Sequence, residues 1–131
     1  MKIGKSVGYI QIYEYNEYDW CRMKQERLFE LHAEVCKTLS NPVRLRIINE
    51  LQLGEITVGA LANKLGIRQA HLSQHLAVLR QRGVVKTRRY GANIYYSISS
   101  AKIVKACSLI REVLLEQLQK DQSIVAEARN K

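Results

Sequence analysis

The chain has 131 residues and a formal charge of +9, with 21 Lys and Arg against 12 Asp and Glu, so its length supports one domain and hardly two. The excess is confined: ten basic and no acidic residues lie between Ile56 and Arg111, and the other 75 residues carry a net −1. A disordered basic tail would sit at a terminus and lack apolar periodicity, so the block reads as a folded basic surface whose partner is a polyanion.

Residues 1–23 read as a Tyr-rich N-terminal arm, holding Tyr9, Tyr13, Tyr15, Tyr18 and the only Trp, Trp20. Tyr9 to Tyr15 is rich in strand formers and reads either as a short strand or as an extension that orders against a partner subunit. A domain over 24–119 follows, then a polar tail over 120–131 that frays. Leu28, Leu31, Val35 and Leu39 recur at helical spacing and predict a helix from about Lys24 to Leu39. Asn41 and Pro42 restart the chain as a cap and a first helical residue, and the next helix runs to about Leu53, before Gly54. Thr57 caps a short helix over Val58–Leu65 that closes at Gly66. After Ile67-Arg68 a helix over 69–81 carries Leu72, Leu76 and Leu79 on one side and stops at Gly83. Two short helices around a Gly-containing turn make a helix-turn-helix. Residues 84–89 and 94–98 then read as two strands joined by Tyr90-Gly91-Ala92-Asn93, a hairpin with a basic edge. Ser99 or Ser100 caps a last helix from about Lys102 to Gln119 or beyond, striped by Ile103, Cys107 (or Ala106), Ile110, Val113 with Leu114, and Leu118. The predicted fold is therefore mainly α with a small β-hairpin: a winged helix-turn-helix of four helices, a two-stranded wing over 84–98 and a final helix.

Three segments in this order resemble the ArsR/SmtB family of winged-helix repressors. Ser-Asn-Pro-Val-Arg-Leu-Arg-Ile-Ile (40–48) is similar to its Leu-x-x-Pro-x-Arg-Leu-x-Ile signature. Residues 58–76 and 87–97 resemble its recognition segment and its wing. The resemblance spans roughly residues 30–115, leaves residues 1–23 outside, and implies a homodimer formed through the first and last helices. Both terminal helices independently carry aliphatic stripes longer than a core of this size can cover, and a two-fold pairing would bury them.

With the three leucines turned inward, Gln69, Ala70, Ser73, Gln74 and Ala77 form an outer face small and polar enough for a major groove, where Gln pairs with adenine and Ser with several bases. The resemblance implies base contacts at Gln69, Ser73 and Gln74, while Ala70 departs from the commoner Ser. Arg68 and the first N–H groups of that helix are placed for phosphate. Arg80 and Arg82, at its end, serve the helix dipole or a phosphate equally well. Strand alternation sends Lys86 and Arg88 to one side of the wing and Thr87 and Arg89 to the other, with Asn93 at the turn; one of these sets faces the duplex. His75 falls where relatives commonly carry His and serves packing or DNA contact. A dimer reads two major grooves about 34 Å apart, hence an imperfectly palindromic operator.

The family's metal sites lack their ligands here. Thr57-Val58-Gly59 stands where a Cys-x-Cys pair is needed to hold a soft metal, and residues 102–119 contain no His. His71 and His75 are a helical pair on the recognition segment, where metal would compete with DNA. No metal and no cofactor are expected. Cys36 and Cys107 lie on the two dimer helices, so the alternative reading is a thiol-responsive repressor switched through them; buried, inert packing is the simpler account. The cysteines are too few and too scattered for a disulfide framework. No apolar run approaches the 18 or so residues of a membrane span and no secretory signal is evident, so a cytoplasmic protein, nucleoid-associated when bound to DNA, is expected. An enzyme is disfavoured because no carboxylate lies in the central block and no nucleophile is paired with a base. A protein-interaction module built on the Tyr-rich arm is disfavoured by the one-sided charge.

Overall fold

The computed structural model describes residues 17–130; the Tyr9–Tyr15 segment lies outside the described residues. These residues divide into two compact units, one ending at Leu39 and the other beginning at Ser40.

The first unit is one helix, α1 (Glu17–Leu39), which starts seven residues before the first turn that the apolar stripe marks. Its early turns hold ion pairs together with apolar residues, Met23 among them, that fall outside the stripe. Arg22 meets Glu26 at 3.9 Å and Arg27 meets Glu30 at 3.0 Å, pairs one helical turn apart that support a helix without leaving a hydrophobic period. Both are exposed, so each contributes only a few tenths of a kcal/mol, about what an i,i+4 pair supplies.

The second unit begins with α2 (Pro42–Leu51). The Asn41 side chain accepts the N–H groups of Val43 and Arg44 at 2.9 and 3.2 Å, and Pro42 takes the first helical position. The helix ends at Leu51, two residues short of the expected Leu53, and the chain leaves through Gly54 at φ +133°. Thr57 caps α3 (Val58–Leu65) by accepting the Ala60 N–H, and Gly66, at φ +67°, closes it in the left-handed conformation that an L side chain resists. Next comes α4 (Gln69–Gln81). Helices α2, α3 and α4 pack on one another around Ile47, Ile48, Leu51, Leu61, Leu65, Leu72, Leu76 and Leu79. The four leucines Leu61, Leu72, Leu76 and Leu79 are fully buried, and each gains about 2 kcal/mol from leaving water. Arg46 on α2 donates to the Leu65 carbonyl at 2.8 Å, satisfying an acceptor at the end of α3.

The wing pairs β2 (Val85–Tyr90) with β3 (Asn93–Ile98), antiparallel, from Val85 opposite Ile98 to Tyr90 opposite Asn93. Gly91 takes φ +62° in the two-residue turn. The expected two-stranded wing is in fact three-stranded. Residues Ile56–Thr57 form β1, which lies against Tyr96 and Tyr95 and gives the order β1-β3-β2. A two-residue strand is too short to show alternation in a sequence. Val84 and Val85 root the wing in the core.

Ser100, of the two candidate serines, caps α5 by accepting the Lys102 N–H. This helix runs over Ala101–Arg129, well past Gln119, so the tail continues the helix where fraying is expected. No Gly or Pro follows Gly91, and residues 116–129 hold three Gln, two Glu and two Ala, which favour helix without an apolar period. Helix α5 packs on α2 through its first turns, where Ile103 is half-buried and Cys107 buried. Farther along, Ile110, Val113, Leu114, Leu115 and Leu118 are each at least half exposed.

Candidate nucleic-acid interface

Helix α4 has two unlike faces. Leu72, Leu76 and Leu79 are sealed in the core, and Gln69, Ala70, Ser73, Gln74 and Ala77 are all exposed on the other side. Arg68 precedes the helix as its N-cap residue but makes no side-chain capping bond, and no acid sits in the first turn. The opening N–H groups and the exposed guanidinium are thus compatible with an anion at that end. The Gln69 Oε1 stands 3.7 Å from where a Cβ on Gly59 would lie, so α3 begins directly beside the first residue of α4.

His75 differs from the other residues of this set. It is half-buried, and its Nδ1 accepts from Arg44 Nε at 3.2 Å. Neutral His75 therefore carries its proton on Nε2, which lies 3.1 Å from His71 Nε2 and can donate to it. Burial first, then the nearby His71 and Arg44 charges, push the His75 ring below its ordinary pKa near 6.5. The residue ties α4 to α2 instead of extending outward. Arg44 is the partner that sequence reading missed; the only signal was its place beside Asn41-Pro42. Among the described residues, no three His, Cys, Asp or Glu lie close enough to hold a metal ion.

The strand register puts Lys86, Arg88 and Tyr90 on the face shared with Ser97, Tyr95 and Asn93, and Thr87 and Arg89 on the face shared with Tyr96 and Ile94. Lys86, Arg88, Arg89 and Asn93 are all exposed. Arg88 is not a bare charge. Glu55, just before β1, takes a two-pronged bond from it, with Nη2 to Oε1 at 2.6 Å and Nε to Oε2 at 3.2 Å. The guanidinium also lies 5.5 and 5.3 Å from the rings of Tyr90 and Tyr95. That bond holds the Glu55 carboxyl below the usual carboxylate range. The wing thus has an acid at its base, one that the acid-free stretch from Ile56 onward conceals. Lys64 is also countered, by Glu50 at 3.3 Å.

The two cysteines of the thiol reading differ in environment: Cys36 is exposed and Cys107 buried. A buried thiol in an apolar setting is a poor nucleophile, which weighs against a switch at Cys107. No helix among the described residues is long and apolar enough to cross a membrane.

Residues 39–88 match the helix-turn-helix domain family, from the end of α1 into β2. An uncharacterised HTH-type transcriptional regulator of Mycobacterium tuberculosis, Rv0081, is 37% identical over 108 residues, spanning 82% of this chain and 95% of that protein. A biofilm growth-associated repressor of Xylella fastidiosa is 41% identical, over 65% of this chain and 75% of its own. Among solved structures, the homodimeric winged helix-turn-helix DNA-binding domain of Mb0332 from Mycobacterium bovis, described as a possible ArsR-family regulator, superposes with a TM-score of 0.66. It is 33% identical and covers 72% of this chain and 87% of that one. By these matches and by its own helix-turn-helix and hairpin wing, the chain belongs to the winged helix-turn-helix transcriptional regulators of the ArsR class.

Proposed function

We propose that the protein is a homodimeric repressor that reads a palindromic double-stranded operator with α4 in the major groove and the wing alongside. The observation that carries this is the two-faced α4: buried leucines hold it from behind, and exposed Gln69, Ser73 and Gln74 present hydrogen-bonding groups in front. Arg68, Arg80 and Lys86 supply phosphate contacts, with Asn93 at the wing turn on the same face as Lys86. His75 supports the reading helix from α2 through Arg44 rather than touching bases. The dimer forms through α1 and α5, which expose Leu28 and Phe29 on the one and Ile110, Leu114 and Leu118 on the other. Such apolar stripes are stable in water only when covered, and a two-fold axis covers both with one operation. The protein then acts on chromosomal DNA in the cytoplasm, and the thiol switch gains no support from buried Cys107.

The test is selection of bound duplexes from a random library, followed by footprinting of the enriched sequence. Two half-sites about 34 Å apart are expected. Gln69→Ala and Gln74→Ala should each cost about 1–3 kcal/mol at defined base pairs. Binding without sequence preference, or a single unpaired half-site, would refute the docking. Activation by the bound protein in a reporter assay would refute repression.

A further inference from the structure

A cleft of about 570 Å³ opens between the end of α2, the base of the wing and the first turns of α5. Its walls include Leu51, Ile98 and Val104, and its polar groups include Ser97, Lys105 and Glu55. That size and mixed lining suit a small organic molecule. The charges are unequal. Both Glu55 oxygens are already engaged by Arg88, so that carboxylate's charge is balanced before any ligand arrives. Lys105 has no acidic partner among the described residues. Glu55 also belongs to two places at once, because it lines the cleft and braces Arg88 on the wing.

We propose that this cleft binds a small amphipathic carboxylate, its tail against Leu51, Ile98 and Val104 and its head on Lys105 and Ser97, and that occupancy is relayed to the wing through Glu55. A second carboxylate in the cleft repels that of Glu55 and loosens its hold on Arg88, freeing a positive charge for DNA. The ligand thus acts with the protein on the operator, as a co-repressor. The relay rests on the function proposed above; the binding site does not.

Calorimetry of the full-length chain with sodium octanoate tests the site. Octanoate should bind saturably, and the exposed change Lys105→Glu should weaken it about tenfold or more, as expected for loss of a charge-assisted contact and gain of a repulsion. Val104→Trp should block it by filling the cleft. Equal binding by Lys105→Glu, equal binding of octylamine, or no heat with octanoate overturns the site. Fluorescence anisotropy on the selected operator tests the relay. Octanoate should tighten binding about threefold in the native chain and have no effect in Glu55→Gln. A looser or unchanged operator complex in the native chain overturns the relay. If the ligand-free protein binds no operator at all, the DNA reading falls, and calorimetry still decides the cleft.

Discussion

Replacing Glu55 with Gln removes the acid bonded to Arg88 on the wing and leaves the side chain's shape nearly unchanged. In the native chain Arg88 meets that carboxylate at 2.6 Å, so its charge is already balanced before DNA arrives. On the docking proposed above, the exposed basic groups of α4 and the Lys86 face of the wing with no carboxylate partner among the described residues are Arg68, Arg80 and Lys86. Six phosphate contacts in a dimer give a slope of log affinity against log salt of about −5, at 0.9 for each neutralised phosphate. Freeing Arg88 adds one contact per subunit and should steepen the slope to about −7. The variant should therefore bind more tightly than the native chain at low salt and lose that advantage as salt rises. Fluorescence anisotropy of a labelled operator duplex, titrated between about 50 and 300 mM KCl, reads both quantities. Arg88→Ala, by the same logic, should leave the slope near its native value. An unchanged slope in Glu55→Gln, or a slope two units shallower in Arg88→Ala, would mean that Arg88 already meets phosphate and that the brace is irrelevant to binding.

Leu76→Ala opens a cavity where a side chain is fully buried and should cost about 2–5 kcal/mol in urea unfolding, with little change in m. Asn41→Ala strips two N–H groups of their acceptor at the start of α2 and should cost about 1 kcal/mol in the same assay. His75 titrates below its ordinary 6.5 when folded, so the unfolded chain binds its proton first. Stability should hold above about pH 6.5 and fall as pH drops below it, and His75→Gln should flatten that part of the curve measured by thermal unfolding. Leu114→Asp places a charge in the exposed α5 stripe and should shift the protein from dimer to monomer in light scattering, with its helical content retained. A dimer that survives this change would place the interface elsewhere.

The parts of this fold that were legible in the sequence are those specified by near neighbours. Leu72, Leu76 and Leu79 reveal the inner face of α4 by spacing alone, and Asn41-Pro42, Thr57 and Ser100 announce helix starts because a cap acts within three residues. The outer face of α4 and the alternation of the wing follow from the same periods. What stayed hidden depends on distance or on its absence from any period. Glu55 and Arg88 are 33 residues apart and meet only because β1 adds to β3. Arg44 and His75 are 31 apart and meet only once α2 crosses α4, so the sequence leaves packing and DNA contact both open for His75 and only the fold shows its bond to Arg44. The start of α1 at Glu17 and the extent of α5 beyond Gln119 are not marked by an apolar stripe, since ion pairs and good helix formers extend a helix without one.

The separation of faces on α4 bears on how such a protein changes over generations. Everything that fixes the helix in place lies on one side: three sealed leucines and the bond from Arg44 to His75. On the docking proposed above, the base-reading groups lie on the other, on solvated side chains whose replacement shifts stability by no more than about 0.5 kcal/mol. On that docking a duplicated copy can acquire a new operator by a few edits at Gln69, Ser73 and Gln74 without passing through an unfolded intermediate. The support is shared by every descendant, and the address is free to drift.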